Sequence, residues 1–315
     1  MPEPTILIAD SESAYYAREL AASLPGPRYL TAPNAAEAMP LAAEASVIVG
    51  LGPFLPSALF QAAPKLEWVH TLTTGVDNLL ADTALKGLAI TNSGGFHGPQ
   101  MSELAILMMM SCARKFPRML DNQKTATWDR WKQSLLLDKT VCIVGVGAIA
   151  QTLAGLCNAF GMRVTGVSDG RAQVPGFAAI HKRAALTTAA SEADFLVVLT
   201  PYNAQTHHII DAPVLHAMKP SAFLINISRG GCVDEAALHD ALTDGTISGA
   251  GLDVFATEPL PATSAFWSLP NVIVTPHIGG FADIYAQQAL PIVIKHMTEW
   301  LNGGTSALTN RQDRT

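Results

Sequence analysis

Several things are scarce in this chain of 315 residues, and each scarcity narrows its function. Lys and Arg number 20 against 26 Asp and Glu, a net charge of −6, and no basic stripe gathers them. That argues against a nucleic-acid partner. Only four cysteines occur, Cys112, Cys142, Cys157 and Cys232, with no C-x-x-C pair. A disulfide framework and a zinc site are disfavoured, and free buried thiols in a reducing cytosol are the expectation. His207-His208 precedes Ile209-Ile210 and reads as a loop rather than a metal site. The longest apolar run, 104–110, is too short to span a bilayer. The first residues, Met1-Pro2-Glu3-Pro4, lack the basic region of a secretory signal, so a cytoplasmic protein is expected. Asn226-Ile227-Ser228 fits a glycosylation sequon but lies in an apolar strand-like run, and is discarded.

What is present is apolar material, 49% of residues with mean hydropathy +0.25, enough for two cores. Strand-like apolar runs alternate with helical patterns along the chain, which implies parallel sheets covered by helices. One set of runs lies at 6–8, 47–49, 66–72 and 88–91. A second lies at 141–144, 163–167, 195–199, 222–227, 249–254 and 272–274. Phe195-Leu196-Val197-Val198-Leu199 is apolar without alternation, as a strand buried on both faces would be. A helical pattern at 99–113 separates the sets, followed by a polar stretch with Trp128 and Trp131. A long helix is expected over 281–301, able to return to the first domain, with 302–315 fraying at the end. The expected fold is α/β, with two Rossmann-like, doubly wound parallel-sheet domains around a cleft. Residues 1–96 and 284–315 would form the substrate-binding, flavodoxin-like domain, and 97–283 the dinucleotide-binding domain.

The strand 141–144 runs into Gly145-Val146-Gly147-Ala148-Ile149-Ala150, and a helical pattern follows to Phe160. Strand, Gly-x-Gly and helix are the context a dinucleotide's phosphates require. Gly145 permits the tight turn, and Gly147 lets the backbone approach the pyrophosphate. The N–H groups around Ala148 and Ile149 add a helix N-terminus. Ala150 stands where a third glycine often stands. The coenzyme depends on the end of the next strand, at Ser168, Asp169, Gly170 and Arg171. Asp169 at the acidic position would favour NAD. Ser168 there, with Arg171 to meet a 2′-phosphate, would favour NADP. Counting from Val164 as a buried strand residue puts Ser168 at the tip, which leans toward NADP.

Three residues at the ends of later apolar runs suggest hydride chemistry on an anionic substrate. Arg229, backed by Gly230-Gly231, offers a planar fork for a carboxylate, against the alternative of a surface ion pair. His277, after Val274-Thr275-Pro276, could exchange a proton with a substrate oxygen. Glu258 could fix the tautomer of His277, although an isolated Glu is usually a solvated group. Asp253 ends a strand on the nucleotide side and is a candidate for the nicotinamide carboxamide. His70 precedes a candidate loop, Thr73-Thr74-Gly75-Val76-Asp77.

These segments carry a resemblance. Residues 226–231 (NISRGG), 253–260 (DVFATEPL) and 275–280 (TPHIGG) resemble three signatures of the D-isomer-specific 2-hydroxyacid dehydrogenase family. The Gly145 loop and Leu199-Thr200-Pro201 are similar to its nucleotide domain, while Thr74-Gly75-Val76-Asp77 resembles its substrate loop. The match is strong over 139–281 and thinner before it. The resemblance implies substrate binding at Arg229, orientation of the histidine by Glu258 and acid/base work at His277. It also implies that Thr74, Gly75 and Val76 hold a substrate carboxylate through backbone N–H groups. Gly145, Gly147, Ala148, Ile149, Ser168, Asp169, Arg171, Thr200, Pro201 and Asp253 would line the coenzyme site. A homodimer built through the nucleotide domains is further implied, acting on a small 2-oxo acid such as glyoxylate or hydroxypyruvate. Two alternatives are a non-catalytic dinucleotide sensor and a formate- or phosphite-type dehydrogenase.

Overall fold

The computed structural model describes residues 3–312. The chain divides into unit 1, Met1–Phe96 with Asp283–Thr315, and unit 2, His97–Ala282.

Unit 1 is built on five parallel strands, β1 (Thr5–Ala9), β2 (Arg28–Ala32), β3 (Val47–Gly50), β4 (Trp68–Thr71) and β5 (Ala89–Asn92). Their order is β2-β1-β3-β4-β5. The chain reverses its direction of travel across the sheet between β1 and β3, and loops at the carboxyl ends of such strands form ligand sites. All residues of β1, β3, β4 and β5 are buried, which is why each reads as an unbroken apolar run. One face packs Leu7, Ile48 and Val69 against Leu59 and Leu79. The other packs Ile6, Ile8 and Trp68 against Ala289, Val293 and Met297 of the helix Tyr285–Gly303.

Residues 302–312 do not fray as the sequence suggested; 313–315, the rest of that stretch, lie outside the described residues. Residues 304–307 form a short turn of helix, and Arg311 makes an antiparallel bridge to Thr91. The Gln312 N–H donates to Ile90 O at 2.8 Å. Small polar residues suffice in this segment, because the bonds that tie it to the β5 edge come from the backbone.

Unit 2 carries seven parallel strands, β6 (Thr140–Val144), β7 (Arg163–Val167), β8 (Ala179–His181), β9 (Phe195–Val198), β10 (Phe223–Asn226), β11 (Gly249–Leu252) and β12 (Val272–Val274). The order is β12-β11-β10-β9-β6-β7-β8, the dinucleotide-binding arrangement extended by one strand. The reversal falls between β6 and β9. The helix Gly98–Arg114 begins with Pro99 in its first turn and ends at Lys115 in left-handed conformation, φ 54°. Its Ala105, Met108 and Met109 pack on Ile143, Val197 and Ile225 of the sheet.

Among the described residues no helix is long and apolar enough to cross a membrane. The four cysteines are free and buried. Burial lifts the Cys142 thiol to about 11 and those of Cys112 and Cys157 to about 12.

Candidate active site

The carboxyl ends of β6 and β9 enclose a cavity of about 360 Å³. Gly145 closes the turn with φ +99°, and a Cβ there would lie 2.6 Å from Thr200 N and 2.8 Å from Leu199 C. Only glycine fits both the dihedral and the approach of the β9 end. Gly147 differs, since a Cβ on it would meet nothing within 4 Å. The space it leaves open faces the first turn of the helix Ala148–Ala159, where unpaired N–H groups begin. Ala150 is fully buried, which suits close helix–sheet packing. Gly145, Gly147, Ser168, Asp169, Thr200 and Pro201 all line the cavity. A cradle that is open at one glycine and closed at the other fits a dinucleotide's phosphates.

The second strand, β7, ends at Val167, so Ser168 is the next residue, and its N–H still bonds to His181 O at 2.9 Å. Asp169 reaches the cavity with its carboxylate engaged. Oδ1 accepts the Arg183 N–H at 2.9 Å, and Oδ2 lies 3.5 Å from Arg183 Nε. Arg183 itself lines the cavity, whereas Arg171 is exposed and does not. The sequence reading passed over Arg183. It follows β8, a half-exposed strand of three residues with little apolar signal, and lies well away from Ser168 along the chain.

Arg229, Glu258 and His277 come together in unit 2. Arg229 follows β10 in extended conformation, its carbonyl held by Asn226 Nδ2 at 3.0 Å. Its Nη1 donates to Ser228 O at 2.7 Å. Gly230 lies so close to the backbone of Phe255 and Ala256 that a Cβ could not be accommodated. That contact seats the Arg229 turn on the loop carrying Glu258. Glu258 bridges two donors. Its Oε1 accepts the Phe255 N–H at 2.8 Å, and its Oε2 lies 2.6 Å from His277 Nδ1. Half-burial pushes the carboxyl up. Hydrogen bonds from His277 and Phe255, with the charges of His277 and Arg229, outweigh it and hold the group below its usual value. Glu258 is therefore ionised at neutral pH and can only accept, so Nδ1 of His277 carries the proton. The other ring nitrogen, Nε2, is left for chemistry.

His277 has φ 53°, uncommon for a side chain with a Cβ. Asp253, almost fully buried, holds the loop in that shape. Its carboxylate accepts Thr275 Oγ1 at 2.5 Å and the N–H groups of Ile278 and Gly279 at 3.0 Å each. Its carbonyl accepts the His277 N–H at 2.8 Å. Strain held by surrounding bonds is common where function needs a fixed side chain.

Thr74, Gly75 and Val76 lie in unit 1, in the loop after β4. Thr73 Oγ1 donates to Gly75 O at 2.8 Å, and Asn92 Nδ2 donates to Thr74 O at 2.5 Å. His70 lies beneath, fully buried, with its ring nitrogens 2.7 Å from Thr91 Oγ1 and 2.8 Å from Ser93 Oγ.

Residues 106–279, more than half of the chain, match the family described as D-isomer specific 2-hydroxyacid dehydrogenase, NAD binding domain. The chain belongs to that family. This 2-hydroxyacid dehydrogenase is thus an NAD(P)-dependent oxidoreductase of two Rossmann-type sheets. It is 36% identical over 259 residues to glyoxylate/hydroxypyruvate reductase B of Yersinia enterocolitica, covering 79% of each chain. The crystal structure of a D-isomer specific 2-hydroxyacid dehydrogenase family protein from Aeromonas salmonicida is also similar. It shares 34% identity at TM-score 0.90, over 99% of this dehydrogenase and 100% of that chain. A third relative is an NADPH-dependent glyoxylate/hydroxypyruvate reductase from Sinorhizobium meliloti, solved with NADP and sulfate. It shares 26% identity at TM-score 0.82, with 99% and 98% covered.

Proposed function

We propose that this dehydrogenase is an NADPH-preferring reductase of a small 2-oxo acid, of the glyoxylate or hydroxypyruvate kind. The observation that carries the reading is the Glu258–His277 contact of 2.6 Å with Arg229 close enough for its charge to act on Glu258. A bound nicotinamide would supply the hydride that reduces C2 of the substrate. His277, its Nδ1–H tied to Glu258, donates a proton from Nε2 to the oxygen that becomes the hydroxyl. Arg229 polarises the carbonyl and binds the carboxylate, which stabilises the developing charge as well as orienting the substrate. Thr74, Gly75 and Val76 are the residues of unit 1 assigned to carboxylate binding, through the N–H groups of Gly75 and Val76. Gly145, Gly147, Ala148 and Ile149 hold the pyrophosphate, Thr200 and Pro201 line the coenzyme's path, and Asp253 is assigned to the carboxamide end.

The coenzyme preference rests on the β7 terminus. Ser168 puts no negative charge at the ribose, and Arg183 draws the Asp169 carboxylate to itself. A 2′-phosphate would find a cation there, beside a carboxylate whose charge that cation already offsets. The Sinorhizobium meliloti relative, NADPH-dependent and solved with NADP, supports this direction.

Two further parts of the proposal concern the whole molecule. Leu107, Met110, Phe116, Leu120, Leu135 and Leu137 of unit 2 are exposed, and Trp128 is 92% exposed. Exposed apolar side chains in such number suit the interface of a homodimer. Four buried free thiols suit the reducing cytoplasm.

A panel of 2-oxo acids assayed with NADPH and with NADH tests the function. Turnover of glyoxylate or hydroxypyruvate, faster with NADPH, is the expected result. Coenzyme binding without turnover of any acid would make the chain a sensor. Oxidation of formate or phosphite alone would move it to another activity.

A further inference from the structure

A ladder of amides runs from the end of the described chain to the 73–76 loop. Gln312 Nε2 donates to Oδ1 and O of Asn310, both at 3.1 Å. Asn310 Nδ2 donates to Asn92 Oδ1 at 2.6 Å and to Asn92 O at 3.1 Å. Asn92 Nδ2 donates to Thr74 O at 2.5 Å. A backbone carbonyl only accepts, so the amide nitrogen of Asn92 must face Thr74 and its oxygen must face Asn310. The direction of the whole ladder follows from that one constraint. Its far end is fixed to the sheet by the Arg311–Thr91 bridge and the Gln312–Ile90 bond.

The ladder ends on a carbonyl whose orientation decides where a donor points. The Thr74–Gly75 and Gly75–Val76 peptides are trans, so each C=O and the following N–H point in opposite directions. Asn92 holds Thr74 O, which turns the Gly75 N–H the other way. Thr73 Oγ1 holds Gly75 O, which does the same for the Val76 N–H. Among the described residues no backbone hydrogen bond takes either N–H. Two adjacent donors are thus left open, each turned away from its anchored carbonyl, and an anion can draw on such donors.

We propose that Asn310 is a positioning residue for the substrate-carboxylate subsite, acting through Asn92 on the Thr74–Gly75 peptide. The inference rests on the reading that Gly75 and Val76 bind that carboxylate. It assigns the C-terminal segment a part in substrate affinity, beyond covering the β5 edge.

The test uses the full chain, with glyoxylate and NADPH in steady state and oxalate as a dead-end inhibitor. Asn310→Asp keeps the shape and removes the donor. Asn92 would then turn its own amide nitrogen toward the new carboxylate and release Thr74 O. Asn310→Asp and Asn310→Ala should each raise KM for glyoxylate and Ki for oxalate by about tenfold. KM for NADPH should stay within about twofold and kcat should change less than KM. A purely structural role would instead lower the unfolding temperature and spare the isosteric variant. Val76→Pro, which deletes one N–H, and Thr73→Val, which frees Gly75 O, test the underlying reading separately. If these raise KM for glyoxylate and Asn310→Asp does not, the role of Asn310 is refuted and the subsite stands. If all leave KM unchanged, the subsite reading falls and this inference with it.

Discussion

Glu258 holds His277 by Nδ1, the ring nitrogen opposite the one assigned to proton transfer. The 2.6 Å contact to Nδ1 consumes one carboxylate oxygen, and the Phe255 N–H occupies the other. A carboxylate tied at both oxygens cannot turn, so the ring it holds presents Nε2 in a single direction.

Replacing Glu258 with Gln should therefore lower kcat by about 10²-fold, within the range set by a misdirected acid–base group. His277→Ala should lower it by about 10²- to 10⁴-fold, and NADPH should bind both variants as before. The carboxyl of Glu258 lies below its usual value of 4.5 in the folded protein. A lowered carboxyl pKa stabilises the fold above the unfolded value, and the stabilisation is lost as pH falls through the folded value. The pair should thus persist through mildly acidic pH, and the loss of rate from protonating Glu258 should appear only below about pH 4.5. Near-normal turnover of Glu258→Gln would remove the residue from the mechanism.

The coenzyme preference should follow Arg183 rather than Arg171. Losing a charge-assisted bond to phosphate costs about 1.5–3 kcal/mol, so Arg183→Ala should raise KM for NADPH by roughly ten- to a hundredfold. NADH carries no 2′-phosphate and should be little affected. Arg171→Ala should change neither, since that side chain lies outside the cavity lining. A loss of NADPH affinity in Arg171→Ala alone would reverse the assignment.

What the sequence made legible divides along physical lines. The buried strands stood out because residues covered on both faces are apolar without interruption, as at 195–199. β2 did not, because it is an edge strand in which only Ala32 of Arg28-Tyr29-Leu30-Thr31-Ala32 is buried. β8 was missed for the same reason, and Arg183 with it. Arg229, Glu258 and His277 were readable because each ends an apolar run next to glycine or proline. Residues 302–312 gave the opposite error. Their small polar side chains suggested fraying, but the segment is held by backbone bonds to β5 that composition does not display. The Asn310–Asn92 link joins positions far apart in sequence, and no local pattern announces it.

Stability should fall as the medium is acidified because of a histidine outside the reaction. Burial, and secondarily the neighbouring His296, push the His70 imidazole down to about 3. Burial alone pushes that of His97 down to about 4. Below about pH 6.5 the unfolded chain takes up protons that these buried rings do not. Stability is therefore complete above that pH and declines down to the folded values. His70 alone accounts for about 1.4 kcal/mol per pH unit across that window. The unfolding temperature should drop between about pH 7 and pH 5.5, and His70→Gln should flatten the slope. An equal slope in the variant would assign the effect to other groups.

The two glycines of the phosphate loop should separate folding from binding. Alanine at Gly145 would need φ +99° and would place its Cβ 2.6 Å from Thr200 N. Backbone atoms form the obstacle, so nothing can swing aside. The strained dihedral alone costs about 1–3 kcal/mol, and the clash adds to it. Gly145→Ala should lower the unfolding temperature of the apo protein and weaken NADPH binding as a consequence. Alanine at Gly147 meets nothing within 4 Å, and the residue's φ of −102° is open to any side chain. Gly147→Ala should unfold at the wild-type temperature without coenzyme. Its methyl group would occupy the space assigned to the pyrophosphate, so the thermal shift produced by NADPH should shrink or vanish. A Gly147→Ala protein that binds NADPH normally would move the phosphates away from this turn, and a Gly145→Ala protein of unchanged stability would contradict the geometry of the turn itself.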